Sequence, residues 1–112
     1  MNDPFYTLVG TLLQVWLRLA RGTKDRRAAT RTPTLATAGK TGPEARTVVL
    51  RTVDPKAKTL EIHTDRRSAK VTELTKNPNA MLHIWDAKSS LQIRLRCVAK
   101  LNHADTKKWM QI

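Results

Sequence analysis

The sequence predicts a mainly β domain, a small antiparallel barrel or curled sheet with one leading helix and one inserted short helix. Three observations lead to this fold class. Five segments have strand character, most connections between them are short, and only one of those connections contains a helical pattern. A parallel sheet would need a crossover segment, usually a helix, between most of its strands, and the sequence provides only the one helical connection.

The length and charge of the chain narrow the possibilities further. A chain of 112 residues fits one domain, so we expect residues 1–112 to fold as a unit. Lys and Arg number 21 against 9 Asp and Glu, which gives a formal net charge of +12. This excess favours an anionic partner, which includes nucleic acid, an anionic membrane surface and a phosphorylated small molecule.

The single cysteine, Cys97, excludes an internal disulfide framework and a multi-cysteine zinc site. It favours a reducing compartment, and we expect the cytoplasm. The N-terminus lacks the basic stretch of a secretory signal, and no apolar run reaches the roughly 18 to 20 residues that a membrane helix needs. We therefore expect a soluble protein.

The first predicted element is an amphipathic helix from Phe5 to Ala20. Its apolar residues recur at helical spacing, namely Phe5, Val9, Leu12, Leu13, Trp16 and Ala20. Asp3 can cap the helix, Pro4 suits its first turn, and Gly22 suits its end. We expect this apolar face to pack against the rest of the domain.

The polar residues 23–32 predict a loop, and three strands are predicted after it, at 34–37, 46–53 and 59–64. Gly39, Gly42 and Pro43 provide the turn of a hairpin between the first two strands. The polar turn at 54–58 provides another short connection. We therefore expect the first three strands to form a meander.

A short helix is predicted from Ser68 to Lys76, with Ser68 as its cap and Asn77-Pro78 as its end. Two strands should follow, at 80–85 and 91–101. The second of these alternates between apolar and polar residues along its length. Asp105 is predicted to cap a last helix that barely begins before Ile112.

The segment from Thr64 to Lys70 has the residues of an anion-binding site. A strand ends there and a helix begins, so backbone N–H groups, the Ser68 hydroxyl and the Lys70 ammonium can all donate to one phosphate. A capped helix with solvated charges explains the same residues, and the sequence leaves both interpretations open.

Two further groups of polar residues lie on predicted strands. Arg46 and Arg51 bracket an apolar run, and their spacing sends them to opposite faces, so one of them is a candidate to face a pocket. Gln92, with Arg94 and Arg96, forms a polar stripe. An amide suits a pyrimidine-like edge and arginine suits phosphate or carboxylate. Solvated surface explains either group equally well.

Several classes of site lack support in the sequence. His63, His83 and His103 have no Cys or carboxylate at ligand spacing, which argues against a metal site. Phosphate-binding glycine loops, the dinucleotide fingerprint and the G-x-S-x-G motif do not occur. The sequence therefore does not identify a catalytic residue.

From about Thr34 to Leu101, the sequence resembles the FMN-binding split-barrel family typified by pyridoxamine 5'-phosphate oxidase. The matching motifs, in order, are Leu35-Ala36-Thr37, Arg46–Arg51, His63-Thr64, Arg67–Lys70, Asn77-Pro78 and Gln92. The resemblance implies an antiparallel split β-barrel that binds FMN. It also implies a homodimer with the flavin at the subunit interface.

The resemblance assigns roles to particular residues. It places Arg51 beside the isoalloxazine ring and Gln92 at its pyrimidine side, and it places the phosphate near Ser68 and Lys70. The cofactor-binding residues that it implies are Arg46, Thr47, Val48, Val49, Leu50, Arg51, His63, Thr64, Arg67, Ser68, Lys70 and Gln92. The oxidases carry an arginine where this chain has Ala69, so one phosphate contact is either lost or supplied by Arg66 or Arg67. The family's later segments would lie beyond Ile112.

The sequence thus predicts an FMN flavoprotein, an oxidoreductase related to pyridoxamine 5'-phosphate oxidase that transfers hydride from a small redox substrate to flavin N5. One alternative is a non-catalytic relative that binds flavin or haem. Another is a basic barrel that binds single-stranded nucleic acid. Such modules usually present aromatic side chains for base stacking, and here the aromatics are Phe5, Tyr6, Trp16, Trp85 and Trp109.

Overall fold

The computed structural model of the chain describes residues 7–63, 68–102 and 107–111. This described part is mainly β with two α-helices, as the sequence predicts. The elements are α1 (Leu8–Gly22), a short 3-10 helix η1 (Ala29–Arg31), β1 (Thr34–Ala38), β2 (Pro43–Thr47), β3 (Leu50–Asp54), β4 (Thr59–His63), α2 (Ala69–Lys76), β5 (Asn79–Asp86), β6 (Leu91–Asn102) and β7 (Lys107–Gln111).

The seven strands form one sheet in the order β2-β1-β5-β6-β7-β4-β3, and every pairing is antiparallel. The two edge strands, β2 and β3, are separated in the chain by Val48 and Val49 alone. A flat sheet of this size would be about 29 Å wide, whereas the link from Thr47 to Leu50 reaches about 11 Å at most. The sheet must therefore curl until its two edges approach each other.

Residues 46–53 do not form one strand, so that prediction is wrong. β2 ends at Thr47 and β3 begins at Leu50, and between them the chain crosses from one edge of the sheet to the other. The Val48 N–H donates to the Pro33 carbonyl at 2.9 Å, and the Val48 side chain is buried in the core. The first strands therefore form two hairpins, β1–β2 and β3–β4, instead of the predicted meander.

The predicted last helix is also wrong, because Lys107–Gln111 form β7. Its predicted cap, Asp105, lies outside the described residues. β7 pairs with β4 on one side and with β6 on the other. Both neighbours need partners for their backbone N–H and C=O groups, and this demand outweighs the local preference of a short segment.

The core lies inside the curled sheet and takes one side chain from each helix. It consists of Leu19, Leu35, Val48, Leu50, Leu60, Ile62, Leu74, Leu82, Ile84, Ile93, Cys97 and Ala99. The predicted alternation along β6 is confirmed from Leu91 to Lys100, since the apolar side chains other than Val98 point inward and the polar ones are exposed. Burial raises the pKa of the Cys97 thiol to about 11, which keeps this cysteine protonated and unreactive.

α1 packs against the core through its C-terminal half. It begins at Leu8, with Thr7 as the N-cap accepting from the Gly10 N–H at 2.9 Å, whereas Asp3 and Phe5 lie outside the described residues. Leu19 is fully buried, and Trp16 packs against the core. Three residues of the predicted packing face stay 53 to 78% exposed, namely Val9, Leu12 and Leu13. That part of the prediction is wrong, because the N-terminal half of α1 does not meet the core.

Gly22 lets α1 end directly against η1. A methyl group on its Cα would lie 2.5 Å from Thr30 Oγ1 and 2.7 Å from the Thr30 carbonyl carbon, so the two segments would have to separate. We expect Gly22→Ala to lower the free energy of unfolding by about 1 to 2 kcal/mol, since the overpacking outweighs the better helix propensity of alanine. Urea denaturation measures this, and an unchanged midpoint would contradict the close packing.

Candidate functional site

Arg46 fastens α2 to the sheet. From β2 its guanidinium donates to the Leu35 carbonyl at 3.3 Å, to Thr37 Oγ1 at 2.7 Å and to Glu73 Oε1 at 2.6 Å. The Thr37 hydroxyl donates to the same Glu73 oxygen at 2.8 Å. The Arg46 and Glu73 side chains are only 24% and 15% exposed, so this ion pair is largely shielded from water. It holds α2 at a fixed position on β1 and β2.

The start of α2 carries the donors predicted to bind an anion. Ser68 occupies the N-cap position with extended backbone angles, and Lys70 lies in the first turn, where there is no acidic residue. Backbone N–H groups and the positive end of the helix dipole favour an anion at this place. Thr64, Arg66 and Arg67 lie outside the described residues, so their roles stay predictions.

The side chains of segment 46–51 face two environments. Val48 and Leu50 are buried in the core, whereas Thr47 and Arg51 are exposed. Arg51 lies on β3 at the point where its pairing with β4 shifts register, between Leu50 and Thr52. Its side chain therefore projects from the outside of the curled sheet, close to the end of β4.

His63 ends β4 and is oriented by a neighbouring carboxylate. Its Nε2 lies 3.1 Å from Glu61 Oε1, and the Glu61 side chain is only 8% exposed. Ser68 follows His63 by five positions in the sequence, so the two are at most about 17 Å apart. His63, Arg51 and the start of α2 therefore belong to one region of the molecule.

Gln92 lies on the exposed face of β6, in the polar stripe that the sequence predicts. Its Oε1 is 2.9 Å from His83 Nε2. When His83 carries its proton on that nitrogen, it donates to the Gln92 oxygen and leaves the amide NH₂ group as the outward-facing donor. Trp85 is the cross-strand neighbour of Gln92.

The structure places Gln92 and His63 far apart along the sheet. His63 pairs with Lys107, and Lys107 pairs with Asn102 on β6. From position 102 to position 92 the strand covers on the order of 33 Å. In addition, β4 and β7 separate β6 from β3, and Gln92 and Arg51 both point outward from the curled sheet. Gln92 is thus remote from His63, whereas it lies near the segment that starts at Thr47, because Thr47 pairs with Thr34, Thr34 pairs with His83, and His83 contacts Gln92.

Residues 13–103 match the family model described as "Pyridoxamine 5'-phosphate oxidase, FMN-binding domain". The chain belongs to this family. A search of curated proteins finds no significant match. The family assignment confirms the resemblance seen in the sequence.

Solved structures of the family have a similar fold. A pyridoxamine 5'-phosphate oxidase-related, FMN-binding protein from Nostoc punctiforme PCC 73102 has a TM-score of 0.65 at 23% identity, over 88% of this chain and 50% of that one. General Stress Protein 26 from Bacillus anthracis str. Sterne has a TM-score of 0.62 at 17% sequence identity, over 88% of each chain. PhzG from Burkholderia lata 383 was solved in complex with tetrahydrophenazine-1-carboxylic acid. It has a TM-score of 0.65 at 25% sequence identity, over 84% of this chain and 45% of that one.

These comparisons agree with the antiparallel β-fold, and they differ in how much of each relative is covered. The chain spans about half the length of the Nostoc and Burkholderia proteins and most of the length of the Bacillus protein. Another neighbour is named F420 Reductase, with a TM-score of 0.56 at 14% identity, over 70% of this chain and 82% of that one. Members of this fold therefore differ in the cofactor named for them.

Other kinds of site have little support in the described part of the chain. It contains no group of three or more His, Cys, Asp or Glu side chains that can hold a metal ion. None of its helices is long and apolar enough to cross a membrane. Of the aromatics considered for base stacking, Trp16 packs against the core and Trp85 is 55% exposed, while Phe5 and Tyr6 lie outside the described residues.

Sequence reasoning missed a cleft of about 600 Å³ between the end of α1, η1 and the turn that joins β5 to β6. Arg18 crosses its floor and donates to Asp86 Oδ2 at 3.0 Å and to Ser89 Oγ at 3.1 Å. The lining residues are Arg18, Arg21, Asp25, Arg27, Ala28, Ala29, Thr30, Trp85, Asp86, Ala87, Lys88 and Ser89. The basic run before β1 was visible in the sequence, but its proximity to Trp85 was not.

Proposed function

We propose that the protein is an FMN-binding flavoprotein, a homodimeric oxidoreductase that passes hydride from a reduced small substrate to the flavin. The observation that carries this proposal is the donor set at the start of α2, found in a chain of an FMN-binding domain family. A hydroxyl, an ammonium and helix-end N–H groups are the donors that a phosphate monoester requires.

Arg46 has a positioning role in this proposal. Its guanidinium is engaged with Thr37 and Glu73, and through Glu73 it fixes α2. Direct contact with the phosphate is therefore assigned to Ser68 and Lys70, and by resemblance to Thr64 and Arg67. The absence of acidic residues from the first turn of α2 removes a source of repulsion.

When bound, FMN supplies the redox chemistry by accepting a hydride at N5. The protein supplies binding and electrostatics. Arg51 offers an exposed cation that stabilises negative charge developing on the pyrimidine side of the ring. Gln92 offers an amide donor whose orientation His83 sets, and Thr47 to Val49 offer backbone groups along the ring.

In this proposal two copies of the chain share the site, as the family resemblance implies, and Gln92 lies far along β6 from the level of His63. The surface offers apolar area for such an association. Large apolar side chains are exposed on α1 and on the outside of β6, namely Leu8, Val9, Leu12, Leu13, Leu17 and Val98. An apolar surface of this kind is typical of an interaction site.

The proposal is tested by titrating the purified protein with FMN and following the quenching of flavin fluorescence. We expect saturable binding, and Lys70→Ala should weaken it by about tenfold or more, because a charged hydrogen bond to phosphate contributes about 1.5 to 3 kcal/mol. Lys56→Ala is the matched control, since Lys56 lies in the exposed turn after β3, at the opposite end of β4 from His63. A protein that ignores FMN, or equal losses in the two variants, would contradict the proposal.

A further inference from the structure

The cleft between α1, η1 and the β5–β6 turn carries more positive charge than its own carboxylates can neutralise. Four basic residues line it, Arg18, Arg21, Arg27 and Lys88, against two acidic residues, Asp25 and Asp86. Arg18 pairs with Asp86 at 3.0 Å, and Arg21 pairs with Asp25 at 3.3 Å. The cleft therefore has an excess of two positive charges.

Both carboxylates of the cleft are held by hydrogen bonds from neighbouring donors. Asp25 accepts from the backbone N–H of Arg27 at 2.9 Å, and this hydrogen bond, with help from the Arg21 charge, lowers the pKa of its carboxyl. Asp86 accepts from Arg18 and from the backbone N–H of Lys88. With the carboxylates held in this way, the exposed charges of Arg27 and Lys88 face the cleft.

Trp85 adds a flat apolar surface to this basic cleft. Its side chain is 55% exposed although it lies on a strand beside the cleft. An exposed indole face stacks on aromatic rings, and this stacking does not select one kind of ring over another. The cleft volume of about 600 Å³ lies within the range of roughly 300 to 1,000 Å³ that is usual for small-molecule sites.

We propose that this cleft binds a phosphate monoester of a flat aromatic compound, with the ring on Trp85 and the dianion between Arg27 and Lys88. The cleft differs from the site proposed for FMN, because none of Ser68, Lys70, Arg51 and Gln92 lines it, although Gln92 is the cross-strand neighbour of Trp85. The class of ligand follows from the pairing of two unmatched positive charges with one exposed indole. The proposal does not depend on whether FMN occupies the start of α2.

Adenosine 5'-monophosphate is the probe, added to protein that has first been saturated with FMN, and calorimetry measures its binding. We expect adenosine 5'-monophosphate to bind saturably. Adenosine and ribose 5-phosphate should each bind at least about tenfold more weakly, because adenosine lacks the phosphate and ribose 5-phosphate lacks the aromatic ring. Trp85→Ala should weaken binding by about tenfold. The double variant Arg27→Ala/Lys88→Ala should weaken it by at least as much, and added salt should weaken binding to the unaltered protein.

The altered side chains are exposed, so these variants should fold, and circular dichroism checks that they do. Lys56→Ala, outside the cleft, should bind the probe normally, and so should Lys70→Ala even if it has lost FMN. Three outcomes would overturn the proposal. These are no binding of the probe at millimolar concentration, binding that the cleft variants leave unchanged, and displacement of the probe by FMN.

Discussion

Arg46→Ala is expected to lower the free energy of unfolding by about 3 kcal/mol, because it removes the guanidinium that lies 2.6 Å from the shielded Glu73 carboxylate. It also removes hydrogen bonds to Thr37 and to the Leu35 carbonyl. In a domain of this size such a loss corresponds to a fall in Tm of roughly 10 to 20 °C. Urea and thermal denaturation measure the two quantities.

The control for this prediction is Arg94→Ala, since Arg94 is exposed on β6 and surface substitutions usually change stability by less than about 0.5 kcal/mol. A second variant separates the ion pair from the packing. Arg46→Met combined with Glu73→Leu should lose less stability than Arg46→Ala alone, because no charge is left buried without a partner. Equal losses in Arg46→Ala and Arg94→Ala would show that the Arg46 network does not stabilise the fold.

The Arg46 network also has a consequence for the proposed cofactor site. If Arg46 acts by positioning α2, Arg46→Ala should weaken FMN binding. The double variant Arg46→Met/Glu73→Leu should bind FMN more tightly than Arg46→Ala does, because it also recovers part of the stability. A residue in direct contact with phosphate would show no such recovery, because methionine cannot donate to an anion. The comparison therefore distinguishes a positioning role from a direct one.

Local patterns were enough to predict the elements whose structure depends on their own residues. The alternation along β6 predicts its inward and outward faces, because a half-buried strand must alternate. Ser68 predicts the start of α2 and occupies its N-cap position, and Asn77-Pro78 predict its end because the residue before a proline disfavours helical backbone angles. The family resemblance, carried by short motifs in order, was confirmed by the match over residues 13–103.

Features that depend on distant pairing were beyond such patterns. Nothing local in the apolar run 46–53 shows that β2 and β3 belong to opposite edges of the sheet. β7 forms because β4 and β6 lie on its two sides, and these strands are distant in sequence. The cleft is likewise built from segments around residues 18–30 and 85–89, and only the fold brings them together.

The proposal that two copies share the flavin leads to a second prediction with a large effect, which uses two variants that are each defective in FMN binding. If the flavin lies between two copies, one copy supplies Lys70 and the other supplies Gln92. A heterodimer of Lys70→Ala with Gln92→Ala then has one site in which both residues are altered and one site in which both are intact. Purified through two different affinity tags, it should bind one FMN with the affinity of the unaltered protein.

The same heterodimer gives the opposite result if each flavin is held within a single chain. In that case one site lacks Lys70 and the other lacks Gln92, so no intact site exists and the heterodimer binds no better than its parents. Gln92 lies about 33 Å of strand from the level of His63 and on an outward face. Recovery of binding in the heterodimer would therefore show that Lys70 and Gln92 act on one flavin from different copies of the chain.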